Sequence, residues 1–144
     1  MIRFYVIIKT MEINEKQKMR IEEVAKRYQL KLVLLFGSFA NGKNRKDSDL
    51  DIAVLDSKKI SFNKQLKIIG EFSRIFGKNI DLTVLNRANP LLLGQINKNC
   101  VLLHGRREDF LKFKLRAFRL FCDYAPYFEM EKKLNKKLLN SYAN

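Results

Sequence analysis

A Gly-Ser pair is the first feature of this sequence that is suited to chemistry. Gly37 and Ser38 directly follow a short apolar run, at the point where a strand should end and a short helix should begin. A glycine there lets the backbone approach a ligand closely. The Ser38 hydroxyl and the N–H groups at the start of the helix can hold phosphate oxygens, helped by the helix dipole. The pair therefore predicts a phosphate-binding turn.

Three aspartates predict a site for divalent cations. Asp49 and Asp51 are two residues apart on a predicted strand, so both side chains leave the same face. Adjacent carboxylates repel one another unless cations lie between them, and Mg²⁺ bound jointly with substrate phosphates suits such a site. Asp81 lies in another predicted strand. Together the three predict a two-metal site for in-line displacement at phosphorus, in which Asp81 either ligates the second ion or receives the proton of the attacking hydroxyl.

Four short runs predict the strands that must position these residues. Residues 31–36 (KLVLLF) and 50–55 (LDIAVL) are largely apolar, which indicates buried central strands. Residues 79–85 alternate between apolar and polar side chains, as a half-buried strand does. Residues 100–104 predict a short fourth strand. The reactive residues therefore lie at the ends of strands or just inside them.

Helices are predicted between the strands. Asn14 caps the first, and Ser61 caps another that ends at Gly77. Asn89 and Pro90 open a third in the usual order of cap and then proline. The helix between Ser61 and Gly77 is predicted to turn one apolar face to the core, made of Phe62, Leu66, Ile69, Ser73 and Phe76.

The C-terminal part of the sequence predicts a helix with two apolar stripes side by side. It runs over residues 106–124, Pro126 is predicted to end it, and residues 129–139 are predicted to form a last short helix. One stripe would satisfy the core, so the second predicts contact with either a partner or the last helix. The first stripe is Phe110, Phe113, Ala117, Phe121 and Tyr124, and the second is Leu111, Leu115, Phe118 and Cys122.

These elements predict an α/β (α+β) fold, a small mixed β-sheet flanked by helices. The 144 residues fit a single domain, 1–144, with a helical C-terminal segment at about 106–140. Residues 1–11 are apolar but too short to span a membrane, and they predict either an edge strand or a translation start at Met11. Two cysteines without metal-ligand spacing predict reduced thiols and a cytoplasmic location.

The charge is strongly positive, with 29 Lys and Arg against 15 Asp and Glu and a net charge of +14. Such a surface attracts phosphates, nucleic acid, anionic lipid or an acidic protein. Charge alone does not choose between them. We expect no membrane partner, and nucleic acid is not the favoured one.

The run from Gly37 to Asp51 resembles the Gly-Ser…Asp-x-Asp signature of the DNA polymerase beta-like nucleotidyltransferases. The chain length, the Asp-Leu-Thr-Val-Leu-Asn run that begins at Asp81 and the aromatic tail are similar to the minimal nucleotidyltransferase (MNT) branch. The resemblance implies the nucleotidyltransferase fold, with Gly37 and Ser38 binding the triphosphate of ATP. It also implies that Asp49, Asp51 and Asp81 are catalytic and ligate two Mg²⁺ ions. Phe39 departs from the pattern, since Tyr is common there.

The resemblance further implies a biological role, the antitoxin of a two-gene toxin–antitoxin pair. Relatives of this branch neutralise a HEPN-type ribonuclease toxin, in part by transferring AMP from ATP to a toxin tyrosine. Three alternatives stay open. The enzyme could act on a small molecule such as an aminoglycoside, although such relatives usually carry a larger helical domain. The fold could serve as a binding-only antitoxin. A nucleic-acid end-modifying enzyme would explain the basic charge.

Overall fold

The computed structural model describes residues 12–143 as a mixed sheet flanked by helices, and the predicted α+β fold is confirmed. The segment 1–11, predicted to be an edge strand or to precede the true start, lies outside the described residues. In chain order the elements are α1 (Glu15–Arg27), β1 (Leu30–Phe36), α2 (Ser38–Asn41), β2 (Leu50–Asp56), α3 (Phe62–Phe76), β3 (Ile80–Val84), a 3₁₀ turn (Leu85–Arg87), α4 (Pro90–Lys98), β4 (Val101–His104) and α5 (Arg107–Tyr142).

The sheet has the strand order β3-β2-β1-β4. β1 is antiparallel to both β2 and β4, whereas β2 and β3 are parallel and joined by the crossover helix α3. The two continuously apolar runs become the two central strands, as expected for strands that are covered on both faces. Because of these directions, the end of β1 and the starts of β2 and β3 meet at one edge of the sheet.

Side chains of the central strands alternate between two cores, so the sheet forms the middle of three layers. On one face, β1 and β2 pack against α1 and α3 through Val33, Leu35, Ile52, Val54, Ile21, Val24, Ile68, Phe72 and Ile75. On the other, they pack against α4 and α5 through Leu32, Leu34, Ala53, Leu93, Ile96, Phe113 and Ala117. Both faces of the sheet are therefore buried.

The predicted helix caps are present. Asn14 and Gln17 form a complete capping box at α1, and the Ser61 hydroxyl accepts the Lys64 backbone N–H at the start of α3. Gly77 ends α3 in the left-handed conformation. The Asn89 side chain accepts the Leu92 N–H at the start of α4, with Pro90 as its first residue.

The buried face predicted for α3 is wrong for Phe62 and Leu66, whereas Phe76 of the predicted set does pack against the core. Phe62 and Leu66 are 70% and 51% exposed, and the core is reached instead by Ile68, Phe72 and Ile75. Both sets repeat at helical spacing, so periodicity alone gives two solutions that differ by a rotation about the helix axis. The sheet surface selects the set that fits it.

The predicted break at Pro126 is also wrong, because α5 runs without interruption from Arg107 to Tyr142. Proline removes one helical hydrogen bond and crowds the preceding turn, at a cost of about 3 kcal/mol. The residues after it are strong helix formers, mostly Glu, Lys, Leu and Met. The ring of Tyr124 also contacts Tyr127 and Phe128 across the proline, with centroids 6.1 and 6.4 Å apart. These features offset the loss.

The two predicted stripes of α5 have different surroundings. In the first stripe, Phe113 and Ala117 are buried against the sheet, and Phe121 packs against Gly94 of α4. The double stripe predicts that Phe113, Phe118, Phe121 and Tyr124 lie nearest to an exposed part of the helix; Phe118 and Tyr124 are exposed, whereas Phe113 is buried and Phe121 is half-buried. The second stripe is exposed to solvent at Leu111, Leu115 and Phe118. Over residues 12–143, no helix combines the length and the apolar character needed to cross a membrane.

Candidate active site

The predicted phosphate-binding turn lies between β1 and α2. Gly37 has a positive φ of 73°, which favours glycine, and it precedes the first residue of α2, Ser38. The Gly37 carbonyl accepts the backbone N–H groups of Ala40 and Asn41, at 3.1 and 3.2 Å. Ser38 therefore lies in the first turn of a helix, where backbone N–H groups have no partner within the helix. This arrangement suits the binding of an anion.

Gly37 has a second role, which the sequence did not suggest. A Cβ atom at this position would overlap the Asp51 carboxylate. The missing side chain thus leaves the space in which the Asp51 side chain lies. The predicted phosphate-binding turn is therefore packed directly against Asp51.

The structure brings the three predicted carboxylates to the same edge of the sheet. Asp51 and Asp81 are register partners on the parallel strands β2 and β3, so their side chains leave the same face of neighbouring strands, about 4.8 Å apart along the sheet. Asp49 directly precedes β2, and the Leu50 N–H donates to the Asn79 carbonyl at 2.9 Å, joining the starts of both strands. Asp49 and Asp81 are exposed, and Asp51 is half-buried between them.

The electrostatics of Asp51 reflect these neighbours. Its pKa is raised above the ordinary value by burial, then by the negative charge of Asp81 and then of Asp49. Asp81 and Asp49 are therefore near enough to Asp51 to repel its charge. A cation at this edge would relieve that repulsion.

The donor set fits Mg²⁺ held jointly with a nucleotide. Among residues 12–143, no group of three or more His, Cys, Asp or Glu side chains is arranged to hold a metal ion by itself. Mg²⁺ usually takes one or two carboxylates and completes its shell with water and substrate phosphates. Asp51 with Asp49, and Asp51 with Asp81, are the pairs that would hold such ions.

A short turn fixes the chain as it approaches Asp49. The Ser48 hydroxyl accepts the Arg45 N–H at 2.8 Å, and the Ser48 N–H donates to the Arg45 carbonyl at 3.1 Å. The basic residues Lys43, Arg45 and Lys46 are exposed on this loop, as is usual for charged residues in a solvated loop. The turn delivers Asp49 to the start of β2.

Sequence reasoning missed one cation at this edge of the sheet. The Lys78 ammonium lies 5.1 Å from the centre of the Phe39 ring, which follows Ser38 in α2. Lys78 also stands three residues before Asp81, just ahead of β3. The sequence could have indicated this, because a residue just before β3 lies at the same edge of the sheet as Asp49, which just precedes β2. Lys78 therefore supplies positive charge beside the predicted phosphate-binding turn.

Comparison with known proteins identifies the family. Residues 19–109 match the family described as polymerase beta, nucleotidyltransferase. The chain belongs to this family. A curated relative is the protein adenylyltransferase MntA of Shewanella oneidensis, 26% identical over 92 residues, which are 64% of this chain and 66% of MntA. The chain thus aligns with slightly less than two thirds of that relative's length.

Two solved structures share the fold. One is a toxin–antitoxin complex with AMP-PNP, with a TM-score of 0.71 and 22% identity over 81% of this chain and 97% of that one. The other is a tri-AMPylated Shewanella oneidensis HEPN toxin in complex with an MNT antitoxin, with a TM-score of 0.68 and 19% identity over 85% of this chain and 98% of that one. The resemblance predicted from the sequence is confirmed, and this protein is a nucleotidyltransferase.

Proposed function

We propose that this protein is a Mg²⁺-dependent adenylyltransferase that transfers AMP from ATP to a tyrosine of a cognate HEPN ribonuclease toxin, and so acts as its antitoxin in the cytoplasm. The observation that carries the proposal is the register pairing of Asp51 with Asp81 beneath Gly37. The name of MntA and the two toxin–antitoxin complexes support the choice of AMP and of a HEPN acceptor.

In the proposed reaction, the tyrosine oxygen attacks the α-phosphorus of ATP. A new O–P bond forms, the bond from the α-phosphorus to the oxygen that bridges to the β-phosphorus breaks, and pyrophosphate leaves. We assign the hydroxyl proton to Asp81, because this carboxylate is exposed at the sheet edge beside Asp51. The products are AMP-tyrosine and pyrophosphate.

The residues of the site divide the work of positioning and charge. Gly37 and Ser38 hold the triphosphate at the start of α2. Asp49, Asp51 and Asp81 hold Mg²⁺, which supplies charge neutralisation at the phosphates when it is bound. Little covalent chemistry is left to the protein, since phosphoryl and nucleotidyl transfer depend mainly on alignment and electrostatic stabilisation.

The alternative functions differ in what they require. A binding-only antitoxin would not need Asp51, whose half-buried charge is unfavourable beside two other carboxylates. An enzyme acting on an aminoglycoside usually holds its acceptor with a larger helical domain, whereas the helices of residues 12–143 other than α5 are packed around the sheet. We therefore favour a protein acceptor.

The test replaces Asp51 and compares transfer with capture. Asp51→Asn should lower AMP transfer from α-phosphate-labelled ATP to the HEPN protein by roughly 100-fold or more, since a group that stabilises charge in the transition state is lost. The metal-free variant should also melt at a higher temperature than the wild type, because the repulsion of Asp51 by Asp81 and Asp49 is removed.

Asp47→Asn is the matched control, because this exposed carboxylate precedes the site on the same loop and does not act on the pKa of Asp51. It should leave both transfer and melting temperature unchanged. Full transfer by Asp51→Asn would contradict the mechanism. Full protection against the toxin by a variant that transfers nothing would favour the binding-only antitoxin.

A further inference from the structure

The second half of α5 extends beyond the body of the domain. The helix has 36 residues and is therefore about 54 Å long, whereas the seven residues of β1 span about 23 Å. Its contacts with the rest of the domain are made by its first half, through Phe113, Ala117 and Phe121. Every residue from 129 to 143 is exposed. We call residues 124–142 the arm.

The arm carries an apolar stripe with no cover among the described residues. We define the distal stripe as Tyr124, Tyr127, Leu134, Leu138 and Tyr142, all of which are exposed, up to 86% at Tyr142. Tyr124 and Tyr142 are separated by about five turns and share one line along the helix. Tyr124 also follows the buried Ala117 by seven residues, so the stripe continues the helix face that rests on the sheet.

We propose that the distal stripe docks a helix of an α-helical, acidic protein partner. The stripe is about 27 Å long and one side chain wide, and the exposed Glu131 interrupts it between Tyr127 and Leu134. A partner helix lying along the arm would bury the apolar side chains on either side of Glu131. Tyrosine anchors of this kind often dominate binding at interfaces. The net charge of +14, together with four lysines against two glutamates on the arm, favours a partner of opposite charge.

Two other occupants fit less well. A second copy of this chain would bring another +14 charge to the same place, and like charges at an interface are unfavourable. The distal stripe lies on the same side of α5 as Phe113 and Ala117, which pack against the sheet. A flat bilayer that reached the stripe would therefore collide with the body of the domain. A single partner helix fits in the angle between the stripe and that body.

The docking surface and the carboxylates lie on the same side of the sheet. Along β2, side chains alternate, so Asp51 shares its face with Ala53, which packs in the core beneath α4 and α5. Asp81 shares that face as the register partner of Asp51. A protein seated on the arm thus approaches the face from which the carboxylates project. This inference rests on the proposed function, since the seated protein is the acceptor.

A matched pair of neighbouring residues tests the surface. Leu138 lies in the distal stripe, whereas Leu139 points about 100° away around the helix, and both are exposed. Leu138→Asp should weaken binding of a ribonuclease-inactive form of the HEPN protein by at least tenfold, measured calorimetrically without ATP. Leu139→Asp should stay within threefold of the wild type. Both variants should keep their melting temperature and their affinity for ATP, because the arm contributes nothing to the core.

Each result decides between the occupants and separates docking from chemistry. Equal losses in the two variants, or none in Leu138→Asp, would overturn the proposal. So would a wild-type dimer in sedimentation that Leu138→Asp dissociates, or wild-type binding to mixed phosphatidylglycerol–phosphatidylcholine vesicles that Leu138→Asp abolishes. Loss of capture by Leu138→Asp beside intact capture by Asp51→Asn would support the docking surface, whatever the transfer assay shows.

Discussion

At the scale of single residues, the site depends on a side chain that is absent. Gly37 leaves room for the Asp51 carboxylate, and its backbone takes a positive φ that other residues rarely adopt. Both requirements act at the same residue. The sequence could indicate the second, because a Gly-Ser pair after a strand predicts a turn. It could not indicate the first, which depends on a contact between two strands.

The two requirements at Gly37 can be separated by a control glycine. Gly37→Ala should destabilise the protein by about 2–4 kcal/mol, because it adds a clash with Asp51 to the backbone cost of about 1–2 kcal/mol. Gly77→Ala carries only the backbone cost, since Gly77 has a φ of 64° but nothing lies within 4 Å of its missing Cβ. Denaturant unfolding measures both. Equal losses would show that Asp51 does not constrain Gly37.

At the scale of elements, the sequence predicted where strands and helices begin more accurately than it predicted which face of α3 is buried or how α5 continues. The strands followed from apolar runs and the caps from Asn14, Ser61 and Asn89, because each depends on a few neighbouring residues. The buried face of α3 depends on the shape of the sheet surface against which the helix packs. The course of α5 through Pro126 depends on the helix propensities of many residues added together. The register that pairs Asp51 with Asp81 could not be predicted either, because it depends on how the crossover helix α3 places β3 beside β2.

The packing of α4 on α5 gives an element-scale prediction. Gly94→Ala should destabilise the protein by about 1–3 kcal/mol, because a Cβ there would overlap the Phe121 ring. Gly70→Ala on α3 should instead stabilise by about 0.5–1 kcal/mol, since its nearest neighbour is the end of the Arg74 side chain at 3.9 Å. Calorimetric melting compares the two. A stabilised Gly94→Ala variant would contradict the close approach of the helices.

Asp56 joins three elements at the opposite edge of the sheet. Its buried carboxylate accepts hydrogen bonds from the Lys64 ammonium at 2.6 Å and from the Lys58 N–H at 3.0 Å. Its backbone N–H and carbonyl each form a hydrogen bond with the Asn86 side chain. Burial raises its pKa, but the hydrogen bonds and the charge of Lys64 outweigh burial and hold the pKa below its ordinary value. The ionised form therefore stabilises the fold.

The sign of that shift fixes a pH dependence. A lowered pKa contributes stability above the unfolded value of about 3.9, and this is lost as the pH falls through the folded pKa. Asp56→Asn should therefore cost about 2 kcal/mol at pH 7. The difference from the wild type should shrink below about pH 4. Melting curves measure the difference, and a deficit of Asp56→Asn that stays constant with pH would refute the assignment.

At the scale of the whole molecule, the charge of +14 predicts how the acceptor arrives. Electrostatic attraction speeds encounter and is screened by salt. The association rate constant with the HEPN protein should therefore fall by roughly tenfold or more between about 50 and about 500 mM NaCl. The dissociation rate, set by the apolar stripe, should change much less. Stopped-flow mixing separates the two, and an association rate that salt leaves unchanged would remove any role for the charge.

The boundary of the family match has an evolutionary consequence. The match ends at residue 109, in the first turn of α5, so the arm lies entirely outside the segment that carries the chemistry. Selection can then alter residues 124–142 without disturbing Gly37 or the carboxylates. If the arm is the docking surface, exchanging residues 124–142 for a different sequence should direct the same reaction to a different protein.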